Sequence, residues 1–131
     1  MGYEPDFDID FTRGLVGEDT HKAFLYGKHE VKTDYRTHET GNFYVETWQQ
    51  NADREWQSGI NGTKADFWVQ ASPLGHGGIY LRTDVLKYLM RETNPREVTQ
   101  PILSDRTNSS RGRLVALDDV LWALGFKKRS E

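Results

Sequence analysis

The chain alternates short apolar and polar runs, broken by glycine- and proline-bearing turns, with helical spacing in between. Asp6–Phe11 (DFDIDF) alternates residue by residue and reads as a short edge strand or an acidic arm. Arg13–Tyr26 has helical spacing, with Leu15, Phe24 and Leu25 on its buried side and Gly27 as the C-cap. His29–Tyr35 and Asn42–Gln50 read as two strands joined by Thr40-Gly41-Asn42 turn chemistry, hence as a hairpin. Asn51–Gly62 is polar and reads as a loop. The aromatic stretch Thr63–Ala71 reads as a strand closed by Ser72-Pro73, and Gly78–Thr83 as another.

A helix is predicted from Thr83 or Asp84, as cap, through about Thr93. Val85, Leu86, Leu89 and Met90 face inward from it, and Pro95 breaks the pattern. Gln100–Arg113 is polar and reads as a loop. The segment RLVALDDVLWALGF then predicts a strand and an Asp-capped helical turn ending at Gly125, before the basic Lys127-Lys128-Arg129. This order predicts an α+β fold, a central mixed β-sheet flanked by helices.

Composition narrows the class. With 131 residues the chain suits one domain, 1–131, and 36% apolar residues with four Trp, six Tyr and six Phe can build a core. The net charge of −3 provides no global basic field, so any contact with DNA must come from local patches or a bound metal. The absence of cysteine excludes disulfides and thiolate metal sites. MGYEPDFDID lacks the apolar run of a signal peptide, and no stretch has the length of a membrane span. The expected location is cytoplasmic, the host cytoplasm for a phage protein, with no membrane partner.

Charge placement raises a question of its own. On a strand, residues two apart share a face, so Glu30, Lys32 and Asp34 lie together, as do Asn42, Tyr44, Glu46 and Trp48. Antiparallel pairing about His38–Glu39 would put Lys32 opposite Glu46, with Glu30 and Asp34 diagonal to it. Carboxylates crowded around one ammonium repel, and a hard cation such as Mg²⁺ relieves that repulsion. The lysine beside them can orient water or stabilise a phosphate transition state.

HEVKTD resembles the E-x-K strand of the PD-(D/E)XK nuclease superfamily. RGLVGEDTHKAFL resembles its first helix, with Glu18 at the position of that helix's carboxylate. EVKTD…TGNFYVE…SGINGTKADFWVQ is similar to small phage-type members, and the likeness spans roughly residues 14–71. The resemblance implies a restriction-endonuclease-like core and hydrolysis of DNA phosphodiesters, including junctions or branched DNA. It also implies Mg²⁺, with Mn²⁺ as substitute, and often a homodimer. The catalytic set it implies is Glu30, Lys32, Glu46 and Asp34, and the metal set Glu18, Glu30, Asp34 and Glu46. One departure is plain: the family places a separate Asp on a strand before E-x-K, and Gly27 to Glu30 leaves no room for one. Either Glu30 takes that position with Glu46 as the later acid, or Asp34 pairs with Glu46.

Plainer readings stand beside these. Glu30 and Lys32 can form a solvated salt bridge, Glu18 can pair with Lys22, and Asp34 can cap the turn. Asp66 closes a turn, the four histidines lack zinc spacing, and the tryptophans are core. Candidate DNA contacts are Arg13, Lys28, Arg36 and Lys64, with Arg106, Arg111 and Arg113 in the polar loop. The competing functions are a non-catalytic DNA- or protein-binding module that keeps the fold, and an acidic protein that mimics DNA.

Overall fold

A computed structural model describes residues 17–102 and 105–129. Residues 17–26 form helix α1, followed by β1 (His29–Thr33), α2 (Thr37–Thr40), β2 (Asn42–Gln50), β3 (Glu55–Gln57) and α3 (Gly59–Gly62). Then come β4 (Phe67–Ala71), β5 (Gly78–Arg82), α4 (Thr83–Thr93), β6 (Glu97–Ile102), β7 (Asp105–Ala116) and α5 (Leu117–Ala123). The α+β class is as expected. Instead of one central sheet there are two: a mixed three-stranded sheet, order β1-β4-β5, and an antiparallel four-stranded sheet, order β3-β2-β7-β6.

The expected hairpin between the first two strands does not form. β1 pairs parallel with β4, which sets Glu30 opposite Trp68 and Lys32 opposite Gln70 rather than Glu46. The cause is local. The chain between the strands winds into α2 instead of a tight turn, and Gly41 ends it at φ 73°, a left-handed conformation that glycine adopts without a Cβ penalty. β2 leaves that turn in a new direction and joins β7, Phe43 opposite Val115.

Alternation then divides β2 between two surroundings. Phe43 and Val45 are buried in a core with Ile60, Trp68, Leu81, Leu86, Leu89, Val115 and Val120, while Tyr44 and Glu46 look the other way. Leu86 and Leu89 of α4 face inward as expected, and Val85 and Met90 pack against the same core. On the other side of the mixed sheet, Phe24 of α1 stacks on Tyr80 at 3.9 Å and on His29 at 4.2 Å, and meets Phe67 edge-on. Gly27 allows this approach, since a Cβ there would lie 2.9 Å from both Ala23 O and the Phe67 ring. Leu25, expected inside, is 57% exposed.

Two segments read as loops carry structure. Asn51–Gly62 holds β3 and α3, and its Ile60 is fully buried. Gln100–Arg113 belongs to the β6–β7 hairpin, whose polar residues hid it: both its faces carry polar positions, so no apolar alternation marks it. Pro101 is tolerated because β6 is an edge strand. Neither α4 nor α5 has the expected side-chain cap. Thr83 Oγ1 instead donates to Ala65 O at 2.8 Å, and Leu117 N donates to Gly41 O at 2.9 Å. Among the described residues no helix is long and apolar enough to cross a membrane.

Candidate active site

A cleft of about 470 Å³ opens between the end of β1, the outward face of β2 and the edge strand β6. Lys32, Asp34 and Arg36 line it from the first, Tyr44 and Glu46 from the second, and Arg96 from the segment leading into the third. Lys32, Asp34 and Glu46 therefore do share one site, although the two strands belong to different sheets.

Asp34 is committed to structure. Its Oδ1 accepts from the backbone N–H groups of Arg36 (3.1 Å) and Thr37 (2.9 Å), and its Oδ2 from Thr37 Oγ1 (2.5 Å) and Gln70 Nε2 (2.8 Å). A carboxylate has roughly four acceptor sites, so these bonds fill it. Burial pushes its pKa up, but the bonds from Thr37, Gln70 and Arg36 outweigh burial and hold it below the usual value. Gln70 is fixed in turn, its Oε1 accepting from Trp68 Nε1 at 2.8 Å. Of the two readings of Asp34, geometry favours the turn cap over the metal ligand.

Glu46 is held differently. The β2–β7 register slips between Glu46 and Trp48, a bulge of the kind that re-aims a side chain. Gly59, at φ 53°, lies so close behind it that a Cβ would come within 2.1 Å of Glu46 O. That contact brings Ser58 Oγ to Glu46 Oε2 at 2.6 Å, while Gln49 Nε2 stands 3.4 Å from both carboxylate oxygens. Glu46 is thus oriented yet keeps acceptor capacity toward the cleft. Beside it, Tyr44 OH shares a 2.6 Å hydrogen bond with Ser110 Oγ, and the ring rests on Gly112, where a Cβ would lie 2.6 Å from Cζ. Burial raises the Tyr44 pKa; the Ser110 bond offsets part of this, and the charges of Glu46 and Glu97 add to the rise.

Lys32 Nζ stands 5.8 Å from the Trp68 ring centre, and no ion pair within 4.0 Å involves it among the described residues. Glu30 shares the half-buried face of β1 with Lys32, one strand repeat away, and does not line the cleft. Glu18 lies exposed on α1, away from the cleft. Among the described residues no three Asp, Glu, His or Cys side chains converge as a metal site. The four-acid cluster expected of Glu18, Glu30, Asp34 and Glu46 is therefore not assembled within the described chain.

The expected DNA-contacting residues also separate. Arg36 lines the cleft and pairs with exposed Glu39 at 3.3 Å, while Lys28 and Lys64 are exposed outside it. Arg111 is mostly buried over the Trp48 ring, paired with Glu55 (2.9 Å) and Glu97 (3.7 Å). Arg113 donates to Asn94 Oδ1 and Pro95 O, tying β7 to the end of α4. Both arginines serve the sheet. Arg13 and the side chain of Arg106 lie outside the described residues. The sequence reading missed Arg96, Ser58 and Gly59. Ser58-Gly59 sits within the quoted SGINGTKADFWVQ motif, where a glycine after a hydroxyl residue could have marked a close backbone approach.

Comparison with protein-family models, curated proteins and solved structures found no match.

Proposed function

We propose that the cleft is the active site of a divalent-metal-dependent nuclease that hydrolyses DNA phosphodiesters. The observation that carries this reading is an ammonium, Lys32, with no ion-pair partner among the described residues, sharing one cleft with a braced carboxylate, Glu46. Arg36 and Arg96 add positive charge to the same walls, so a phosphodiester would meet cations on entering. The E-x-K resemblance and a restriction-endonuclease-like core belong to this reading too.

Among the described residues Glu46 is the acid with free lone pairs in the cleft, and it would hold Mg²⁺ or Mn²⁺. Glu30, the next acid on the Lys32 face, does not line the cleft. One carboxylate suits Mg²⁺, which keeps several waters and takes substrate phosphate oxygens as further ligands. When bound, the ion would polarise the phosphate and acidify a coordinated water. Lys32 donates hydrogen bonds to the attacking water or to the phosphate oxygen as charge builds there. Ser58 and Gln49 keep Glu46 aimed, and Arg36 and Arg96 position the flanking phosphates.

A second reading has its own support. The lack of three converging acids among the described residues favours a DNA- or protein-binding module without catalysis. An assay of the purified protein on branched, single-stranded and duplex DNA, with Mg²⁺, Mn²⁺ or EDTA, separates the two. Cleavage that needs the ion and disappears in Lys32→Ala supports the nuclease. DNA binding without cleavage in any ion supports the module.

A further inference from the structure

A second cavity, of about 480 Å³, opens on the other face of the antiparallel sheet. Val45, Arg113 and Glu97 stand opposite one another across β2, β7 and β6, so they share the face that turns toward the core, while Tyr44 and Glu46 look into the cleft. Arg113 and Glu97 line this cavity together with the second half of α4 and the buried Ile60 of α3. Among the described residues none lines both cavities.

Its walls carry unbalanced positive charge. Lys87 and Arg91 lie one turn apart on α4 and both line the cavity, and like charges at that spacing repel. Neither has an ion-pair partner within 4.0 Å among the described residues. Arg91 is in the last turn, where the helix dipole favours a cation; Lys87, half-buried a turn earlier, has no such reason to be basic. Arg113 brings a third cation from β7, its Nη1 tied to Asn94 and Pro95. The acid in the wall, Glu97, already pairs with Arg111 at 3.7 Å. Three cations against one acid leave the lining at +2, in a chain whose net charge is −3.

The remaining lining is apolar or amide. Trp48, Met90 and Ile60 form a polarisable wall, and Gln57 and Asn61 supply side-chain amides. Arg111 lies over the Trp48 ring, 5.3 Å from its centre, but does not line the cavity, so the ring surface facing in is one the guanidinium leaves open.

We propose that this cavity is a nucleotide site that takes a phosphomonoester carried on a planar base. Lys87 and Arg91 hold the phosphate, whose charge of about −1.5 to −2 near pH 7 matches the wall better than the single charge of a phosphodiester. The base lies against Trp48 and Met90, a contact open to every base because each has a π-face. Gln57 and Asn61 meet its polar edge or the sugar hydroxyls. The volume falls within the range of small-molecule sites. Two sources carry such a group, a free nucleotide and the 5′ end of a strand. None of this depends on the nuclease reading.

Titration of the full chain with AMP, followed by calorimetry and amide NMR, tests the proposal. AMP should bind one per chain with Kd about 1 mM or tighter at low salt, inorganic phosphate about tenfold or more weakly, and adenosine more weakly still. The amides of residues 87–94 and the Trp48 indole should shift, and the amides of residues 32–36 should not. Lys87→Gln/Arg91→Gln should lose about tenfold or more in affinity with an unchanged circular dichroism spectrum, while Lys32→Ala binds AMP as wild type does. An oligodeoxynucleotide with a 5′-phosphate separates the two sources. Displacement of AMP by it, and not by its unphosphorylated form, assigns the site to strand ends, and no displacement assigns it to free nucleotides. No binding up to about 10 mM AMP, phosphate binding as tightly as AMP, or affinity indifferent to the double variant overturns the proposal. So does loss of AMP binding in Lys32→Ala, since the nucleotide would then sit in the cleft.

Discussion

Asp34→Ala distinguishes a turn cap from a metal ligand, because the two roles give opposite signs in metal-free protein. As a cap, Asp34 accepts from two backbone N–H groups, one hydroxyl and one amide, all at 3.1 Å or less. Losing the backbone bonds should cost about 1 kcal/mol, as at a helix N-cap. The remaining loss centres on Gln70, which is 6% exposed and whose Nε2 would lose its acceptor while its Oε1 stays with Trp68. An unsatisfied buried donor costs about 1–3 kcal/mol. The total is about 2–4 kcal/mol, or about 10–15 °C in Tm for a domain of this size. A carboxylate kept for a metal would behave oppositely, its removal relieving repulsion and raising the metal-free Tm.

The pH dependence adds a second readout. The folded pKa of Asp34 lies below its unfolded value, so its contribution is complete above the unfolded pKa and disappears as pH falls through the folded one. The gap between wild type and Asp34→Ala should therefore be full at pH 7 and shrink as pH falls below the ordinary carboxylate range. Denaturant melts at several pH values in EDTA measure it. A variant as stable as wild type at pH 7, or more stable, would falsify the cap assignment and return Asp34 to the metal set.

Four further outcomes follow from the geometry of the cleft. Gly59→Ala forces a Cβ into the backbone of Glu46 at a positive φ, so it should lose about 3 kcal/mol or more of stability in a urea melt; a neutral result would mean the two backbones are not in contact. Ser58→Ala removes the 2.6 Å bond that orients Glu46, and on the nuclease reading cleavage should fall about tenfold while the circular dichroism spectrum stays native. Lys32→Ala should lower single-turnover cleavage by about 10²-fold or more with DNA affinity nearly unchanged, and cleavage at the wild-type rate would remove the lysine from the chemistry. Glu46→Gln should abolish the rise in Tm that millimolar Mn²⁺ is expected to give, and an equal rise in both proteins would place the ion elsewhere.

The sequence by itself determined what depends on near neighbours. The bounds of β2, the inward side of α4 and the reversal at Gly41 follow from alternation, helical spacing and the freedom of glycine at positive φ. It also placed Glu30 and Lys32 on one face of β1, since alternation requires it. Alternation says which residues share a face but not which strand lies alongside. The parallel pairing of β1 with β4, set far apart in sequence, was decided by the packing of Phe24, Phe67 and Tyr80 and by the turn at α2. The same tertiary arrangement gave Asp34 four donors, one of them from Gln70. It also set Ser58 against Glu46 and put Arg96 on a cleft wall with Lys32. Such contacts depend on which apolar faces can be buried together, an energy shared by the whole core and not carried by any short segment. Polar strands like β6 and β7 are the extreme case: with few apolar positions to mark a face, their pairing is set by the neighbours they meet.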